Sequence, residues 1–479
     1  MDRPGPTRRA VLRGLAAVGL LGVVRAVPAT ADTGSASGPG SFAAITGGGL
    51  TTPLDAGYAA AKQVFNSRFD ATTPVAVVAP TTTEQVSAAI GVARELGLRV
   101  AVRSGGHSYV GASTADGAVV LDLRRLAGGV VVDGETVTVT PGSPLGPLQR
   151  ALAQSGRSLP VGTCPTVGIG GSTLGGGIGI DSRTHGLTCD RLRSADVVLP
   201  PGEVLTVSEG ENPDLFWACR GGAGSVGVVV SMTFQTASAR DRDVVAMTFP
   251  DEVAPAAIVS TTAWTAGRSR ESWGTVTVAT DGADDVSATV LLVVPRGEGA
   301  AATTDLTQRI GARPRASQTV GLDQTGVLDL FAQYSPQTPH PFVGGSDVLR
   351  TVDDAVAVAV VEAIRARRTQ GRAAAAIVDP LDGAVNDVAA SATVFPWRAH
   401  AAVVQWIVDP LAPDDTAAGA TAWLSECHDR VREESDGGYV NYVEVGSLPE
   451  RWFAGNTARL TDIRRRHDPD GRIVSPWFG

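Results

Sequence analysis

Two glycine-rich segments constrain this chain more than any other feature. The first reads Arg103-Ser104-Gly105-Gly106-His107-Ser108-Tyr109. The second reads Gly162-Thr163-Cys164-Pro165-Thr166-Val167-Gly168-Ile169-Gly170-Gly171-Ser172 and runs through Leu174 to Gly175-Gly176-Gly177. Glycine has no Cβ and tolerates left-handed backbone, so such segments let N–H groups close on a bulky anion. Each segment also carries one nucleophile, the imidazole of His107 or the thiol of Cys164. A fold that uses both must bring strand ends and helix starts around one ligand.

At 479 residues the chain is too long for one ordinary core, so two domains are expected. Its apolar fraction of 43% is that of a globular protein. The start reads as an export signal. Thr7-Arg8-Arg9-Ala10-Val11-Leu12 has a twin-arginine pattern, an apolar stretch from Gly14 to Val24 follows, and Ala29-Thr30-Ala31 offers a cleavage site before Asp32. A membrane anchor needs roughly 20 apolar residues, more than Arg13 and Arg25 enclose, so a secreted protein without stable membrane association is expected. Cleavage would remove five arginines and Asp2, leaving 35 basic and 48 acidic residues and a formal charge of −13. That charge disfavours nucleic acid as a partner. Cys164, Cys189, Cys219 and Cys427 show no metal spacing. With Cys164 set aside an odd three remain, so buried free thiols are favoured over a Cys189–Cys219 bridge.

Residues 32–41 read as a flexible leader. From 42 to 238 strand and helix alternate. Val75 to Val78 reads as a strand, and Thr83 to Leu96 as a helix with Glu84 in its first turn and Gly97 as its stop. Leu98 to Val102, Val119 to Leu123, Val130 to Val139, Ala195 to Leu199 and Val226 to Thr233 read as further strands. Residues 239–435 change character. Ser272 to Ala279, Ala288 to Val294, Ala373 to Val378, Ala389 to Phe395 and Ala402 to Ile407 read as strands, and Val352 to Arg368 as a long helix. The pattern predicts an α+β chain: a nucleotide-binding region, then a domain built on an antiparallel sheet with helices on one side, then a C-terminal segment, 436–479.

A flavin dinucleotide meets the demand of the two glycine segments. Its pyrophosphate needs donors, and its ring has two carbons that accept His and Cys adducts. The segments resemble those of the berberine-bridge-enzyme-like flavoprotein oxidases, a branch of the vanillyl-alcohol-oxidase superfamily. The resemblance continues through Asn212-Pro213-Asp214-Leu215-Phe216-Trp217, Arg220-Gly221-Gly222, Tyr439-Val440-Asn441-Tyr442 and His467-Asp468-Pro469. It implies a two-domain FAD-binding fold of the p-cresol-methylhydroxylase (PCMH) type, with FAD bonded at C8α to His107 and at C6 to Cys164. Flanking glycine N–H groups are expected to stabilise the reactive Cys164 thiolate. Arg103, Ser104, Gly105, Gly106, Ser108, Gly168, Gly170, Gly171, Gly175, Gly176 and Gly177 would line the cofactor. Gly227, Val228 and Val229 would lie near its adenosine end, and Asn441 would hold the flavin or its loop. His185 would place an imidazolium near the flavin ring, or else pack in a turn supported by Asp190. A Rossmann reading of the glycine run fails, because several strands precede it.

The resemblance further implies that Tyr442 removes the substrate's hydroxyl proton with Tyr439 as partner, the order being open. Free tyrosine, with a pKa of about 10, would need a hydrogen bond or a positive charge to act near neutrality. Family members of the plant type use a glutamate from the substrate domain. No acid lies between Ala389 and His400, which argues for tyrosine. The expected activity is hydride transfer from an alcohol or hemiacetal carbon of a sugar or natural product to FAD, with molecular oxygen as acceptor and the protein as monomer or homodimer. A dehydrogenase using another acceptor, or a non-catalytic carbohydrate- or flavin-binding protein, are the rival readings. Arg220 to Gly227 departs from the family's R-G-G-G-G-N-F-G, which leaves local flavin contacts open.

Overall fold

A computed structural model describes residues 42–43, 45, 49–283 and 285–477. The twin-arginine signal (1–31) and the leader (32–41) lie outside the described residues. Apolar, β-branched runs build the first sheet. Its strands are β1 (Leu50–Thr51), β2 (Ala76–Val78), β3 (Val100–Arg103) and β4 (Val119–Asp122), in the order β1-β2-β4-β3. β2 and β3 both pair parallel to β4. Every residue of β2 and β4 is buried, as expected of parallel strands covered on both faces. The helix α1 (Thr83–Glu95) starts where the Thr82 hydroxyl accepts the Gln85 N–H and stops before Gly97, at φ +68°. Its stripe Val86, Ala89, Ile90 and Ala93 faces the sheet.

A second, antiparallel sheet follows, of β5 (Val130–Asp133), β6 (Thr136–Val139), β8 (Leu192–Val198), β9 (Val204–Ser208) and β10 (Val228–Gln235), in the order β5-β6-β10-β8-β9. The single strand expected over Val130–Val139 is in fact a hairpin. Gly134-Glu135 turns the chain between the paired residues Asp133 and Thr136, with Gly134 at φ +55°, a positive φ at the first position of a two-residue hairpin loop. Outside this sheet, β7 (Arg157–Ser158) pairs with β11 (Ala237–Ser238).

The third sheet has eight antiparallel strands: β12 (Arg242–Pro250), β13 (Trp273–Thr280), β14 (Ser287–Pro295), β15 (Ala316–Leu322), β16 (Val343–Leu349), β17 (Ala374–Pro380), β18 (Ala402–Val408) and β19 (Ser435–Gly437). Their order is β15-β12-β14-β13-β17-β18-β16-β19. Alternation along β12 and β14 sends Val245, Met247, Val290 and Leu292 into one core. That core is shared with α2 (Ala254–Ala266), α3 (Gly299–Ile310), α4 (Asp354–Thr369) and α5 (Ala417–Val431). Val244 and Val293 point the other way, towards Phe331 of the helix Gln324–Ala332. Residues 389–395, expected as a strand, are irregular. Both edges of β18 are already taken by β17 and β16, so this stretch leaves the sheet and docks on the first region, Val394 N–H donating to Arg220 O at 2.8 Å.

The C-terminal segment returns to the first sheet. Val100 N–H donates to Arg472 O at 2.8 Å, and Val474 N–H to Val100 O at 2.9 Å. Asp468, 3% exposed, shapes this return by accepting the N–H groups of Arg472 (2.7 Å) and Ile473 (3.0 Å). Among the described residues no helix is long and apolar enough to cross a membrane. Asp468→Ala removes two charge-assisted bonds of about 1.5–3 kcal/mol each. It should lower stability by about 3 kcal/mol or more in chemical denaturation and speed amide exchange at Val100 and Val474.

Candidate active site

The site begins where the two glycine segments cross. β3 ends at Arg103, and the chain turns through Gly106 at φ +76° to present His107. The second segment runs from Cys164 to Gly168, the N-cap of the short helix Ile169–Leu174. A Cβ on Gly105 would lie 2.2 Å from Gly168 N, and one on Gly168 would lie 2.3 Å from Gly105 N. No side chain fits at either position. Next to the crossing, His107 hydrogen-bonds the Thr166 backbone and stacks on Phe65, with centroids 3.8 Å apart and 21° between planes. Burial pushes the imidazole down to about 4, opposed by the Thr166 bond. The ring is therefore neutral near pH 7, with one nitrogen on Thr166 and the other free as a nucleophile.

Cys164 is half-buried and, like the other three cysteines, a free thiol. Its environment corrects the expectation of a thiolate held by glycine N–H groups. Burial raises the thiol, Asp409 adds to this, and the Ser335 hydroxyl is what opposes it. The thiol is thus the resting form.

The expected lining residues divide. A Cβ at Gly171 would meet nothing within 4 Å, so this glycine faces open space. Those at Gly170, Gly175 and Gly177 would strike Pro141, Asn441 and Thr188 at 2.6, 2.0 and 2.2 Å, so packing dictates these glycines. Gly176 sits at φ +119°. Ser108 Oγ accepts the Ala112 N–H at 3.1 Å and caps a turn, and Ser104 Oγ bonds Pro141 O. Arg103 departs from the cofactor-lining role. Its guanidinium is fully buried, pairs with Asp122 at 2.9 Å and holds the carbonyls of Ala61 and Gln63. Val228 and Val229 are core residues of β10, and Gly227 packs against Val197. His185 departs as well. Burial lowers it, with Arg191, Arg240 and Arg242 acting in the same sense against Asp181, so an imidazolium is disfavoured there. Asp190 does support that turn, accepting the Leu187 N–H at 2.8 Å.

Tyr439 and Tyr442 come together edge to face, centroids 5.0 Å apart, but they do not share a proton. Tyr439 Oη accepts from Gly177 N–H (2.9 Å), Ile178 N–H (3.2 Å) and Asn441 Nδ2 (2.7 Å). Burial still pushes it up to about 12. Asn441 Nδ2 also donates to Ser172 O at 2.9 Å, so its amide group locks the loop. Tyr442 stacks on Tyr109 at 5.4 Å and 26°, and its hydroxyl bonds no described residue. Among the described residues, the groups that act on it are Tyr109, Asp379, Tyr439 and Cys164, none of which carries positive charge. Burial, with Tyr109 and Asp379 beside it, holds Tyr442 well above the ordinary range.

Three residues that sequence reasoning missed complete the site. Tyr109 closes the first glycine motif and bonds Gln405 of β18. Asp379, on β17, is the carboxylate sought in vain between Ala389 and His400. It lies within electrostatic reach of Tyr442, and burial lifts it to about 6 against a hydrogen bond from Thr275. His340 bonds the Asp409 carboxylate through Nε2 and meets Phe65 edge-on at 5.2 Å. A row of rings thus links the two halves of the site: His107, Phe65, Phe342, Tyr109, Tyr442 and Tyr439, at spacings of 3.8, 6.4, 5.0, 5.4 and 5.0 Å.

Residues 74–208 match the FAD binding domain family. Over 180 residues the chain is 46% identical to a xylooligosaccharide oxidase of Thermothelomyces thermophilus, 36% of each chain being covered. The match spans about a third of the length of the curated oligosaccharide oxidases first found. Likeness of fold extends much further. The Physcomitrella patens protein BBE-like 1 superposes with a TM-score of 0.82 over 91% of this chain and 98% of its own, at 24% identity. The Acremonium strictum glucooligosaccharide oxidase, whose flavin is a 6-S-cysteinyl, 8α-N1-histidyl FAD, superposes with a TM-score of 0.79 over 91% and 99% at 24% identity. The architecture is the α+β, two-domain PCMH type. The chain thus carries an FAD binding domain over residues 74–208 and, throughout, the fold shared by berberine-bridge-enzyme-like proteins and oligosaccharide oxidases.

Proposed function

We propose that this is an exported oxidase in which residues 42–238 and 436–479 hold FAD and residues 239–435 present the substrate. The substrate is a sugar hemiacetal or a natural-product alcohol. The observation that carries the reading is the row of rings that joins His107 to Tyr442, with Cys164 within electrostatic reach of Tyr109 and Tyr442. The residues fit the cofactor on two counts. Gly171 opens onto empty space at the start of a short helix, and the buried hydroxyls of Thr166 and Thr173 have no partner among the described residues, as groups awaiting a polar ligand would. His107 and Cys164 would be the points of covalent attachment, a reading supported by the histidyl and cysteinyl links of the glucooligosaccharide oxidase. When bound, FAD supplies the acceptor for hydride from the substrate's carbinol carbon and passes the electrons to oxygen, giving hydrogen peroxide.

The chain's own residues then handle the proton. A free tyrosinate is too costly at Tyr442, because nothing positive faces it. Asp379 resolves this. Tyr442 takes the substrate's hydroxyl proton as its own proton passes, through an intervening water, to the Asp379 carboxylate, whose value of about 6 suits a base near neutrality. Tyr439 is the anchor of this arrangement, its oxygen held by three donors.

The first test is acid precipitation of purified protein, followed by peptide mass spectrometry. Yellow colour should remain in the pellet, and in Cys164→Ala it should remain through His107 alone. Free FAD in the supernatant would overturn the linkage. Tyr442→Phe should slow flavin reduction by sugars or alcohols ~10²–10⁴-fold with the visible spectrum unchanged. The wild-type rate should fall as pH drops through about 6, where Asp379 takes up a proton, and Asp379→Asn should lack that acid limb. Stopped-flow reduction across pH 4–8 measures both.

A further inference from the structure

Behind the tyrosine segment lies a buried ionic cluster that none of these roles uses. His428, on α5, places Nδ1 2.7 Å from Asp347 Oδ2 and Nε2 2.7 Å from Glu444 Oε2. Asp347, on β16 and 1% exposed, also accepts from Ser435 Oγ at 2.6 Å and Trp406 Nε1 at 2.7 Å. Arg451 completes the set. Its Nη2 lies 2.7 Å from Ser346 O, 3.2 Å from Asp347 Oδ1, 3.7 Å from Glu444 Oε1 and 3.1 Å from His428 Nδ1. Two cations thus meet two carboxylates.

The cluster grips both ends of the stretch that carries the tyrosines. At one end Ser346 Oγ accepts the Tyr439 N–H at 2.9 Å, and at the other Glu444 accepts the Ser346 N–H at 3.2 Å. Gly345 lets Glu444 come this close, since a Cβ there would sit 2.4 Å from its carboxyl carbon. Tyr442 is two residues from Glu444, inside this grip. Both imidazole nitrogens of His428 face carboxylate oxygens, and only the imidazolium can donate to both.

We propose that His428 is a positioning residue that holds Tyr442 in its reactive place through Glu444, and that loss of the His428 proton sets the alkaline limit of the reaction. The inference rests on Tyr442 as the proton acceptor. The sign follows from the partners. Burial opposes the charge on His428, but Asp347 and Glu444 outweigh it and raise the imidazole to about 9. The clamp is therefore intact below that pH and lost as pH rises through it. The charged groups facing His428 from other elements are Asp347, Glu444 and Arg451. On its own helix, Glu426 and Arg430 are exposed, and the buried Cys427 thiol is pushed well above its ordinary range and stays neutral.

His428→Gln keeps hydrogen-bonding capacity without the charge. In the flavin-loaded protein it should slow flavin reduction ~10–10²-fold, the scale of a small misplacement of a reacting group, with substrate affinity little changed. It should also abolish the wild-type fall in rate near pH 9. The double variant with Glu444→Gln should be non-additive, because the two residues act as one clamp. Hydrogen exchange at residues 439–444 decides the positioning step without turnover. Exchange should quicken in His428→Gln, with the rest of the chain protected as in wild type, and equal exchange there overturns the proposal. An alkaline limb that survives in His428→Gln also overturns it and leaves the oxidase reading standing. Wild-type protein whose flavin no sugar or alcohol reduces overturns the oxidase reading and, with it, the alkaline limit.

Discussion

The site depends on one crossing of two backbones. Gly105 and Gly168 approach so closely that each occupies the space of the other's missing Cβ. His107 lies two residues past one glycine and Thr166 two residues before the other. A single contact therefore sets both ends of the bond between them. Alanine at either position would force the segments apart, with the cost of overpacking, about 1–3 kcal/mol or more. It would also move His107 away from the segment that ends in Cys164. The glycines on the second segment beyond Gly168 serve a related purpose. They let Asn441 and Thr188 close on the loop and bring the Gly177 and Ile178 N–H groups to Tyr439. Close backbone approach, rather than flexibility, explains why this chain needs glycine there.

That crossing reaches the rest of the molecule through polar contacts of high sequence separation. Arg103 ties the end of β3 to Asp122, and Arg398 makes a bidentate pair with Asp190 at 2.7 and 2.8 Å across two regions of the chain. Removing one partner of such a buried pair leaves a charge without compensation, which costs about 3–5 kcal/mol. The position of the tyrosine stretch relative to the glycine loops is therefore over-determined. Tyr439 touches the loop through its hydroxyl and β16 through its N–H.

Much of this was legible in the sequence because it follows from local rules. The 3.6-residue period of Thr83–Glu95, the apolar runs of β2 and β4, and the spacing of His107 and Cys164 in glycine all act within a few residues. What was missed depends on distant partners or on a weak local signal. Gly134 was visible, but the stretch around it was read through as one strand. Residues 389–395 have strand composition, yet the edges of β18 are occupied. Arg103 sits inside the cofactor motif, but its side chain answers to Asp122, a residue on another strand. Asp379 could not be found by searching near the aromatic strand motif, because β17 delivers it from ten residues earlier. The electrostatics of Cys164 and Tyr442 depend on burial, and burial is a property of the packed fold.

The distribution of charge gives these parts a common sense. Near pH 7 the groups along the row of rings are neutral. Burial keeps His107 unprotonated, and the Cys164 thiol and Tyr109, Tyr439 and Tyr442 protonated. Asp379, at about 6, and His340, raised above the ordinary imidazole by its bond to Asp409, are groups beside the row that titrate close to neutrality. The His340–Asp409 pair flanks the row at Phe65, and a larger set of charges stands behind it, where His428 and Arg451 meet Asp347 and Glu444. In the proposed reaction the proton taken from substrate neutralises the Asp379 carboxylate while the hydride carries one negative charge to its acceptor, so the net charge of the low-dielectric site does not change. One layer back from the rings, Ser346 accepts the Tyr439 N–H and Glu444 accepts the Ser346 N–H, so the charged cluster contacts both ends of the segment that carries the tyrosines.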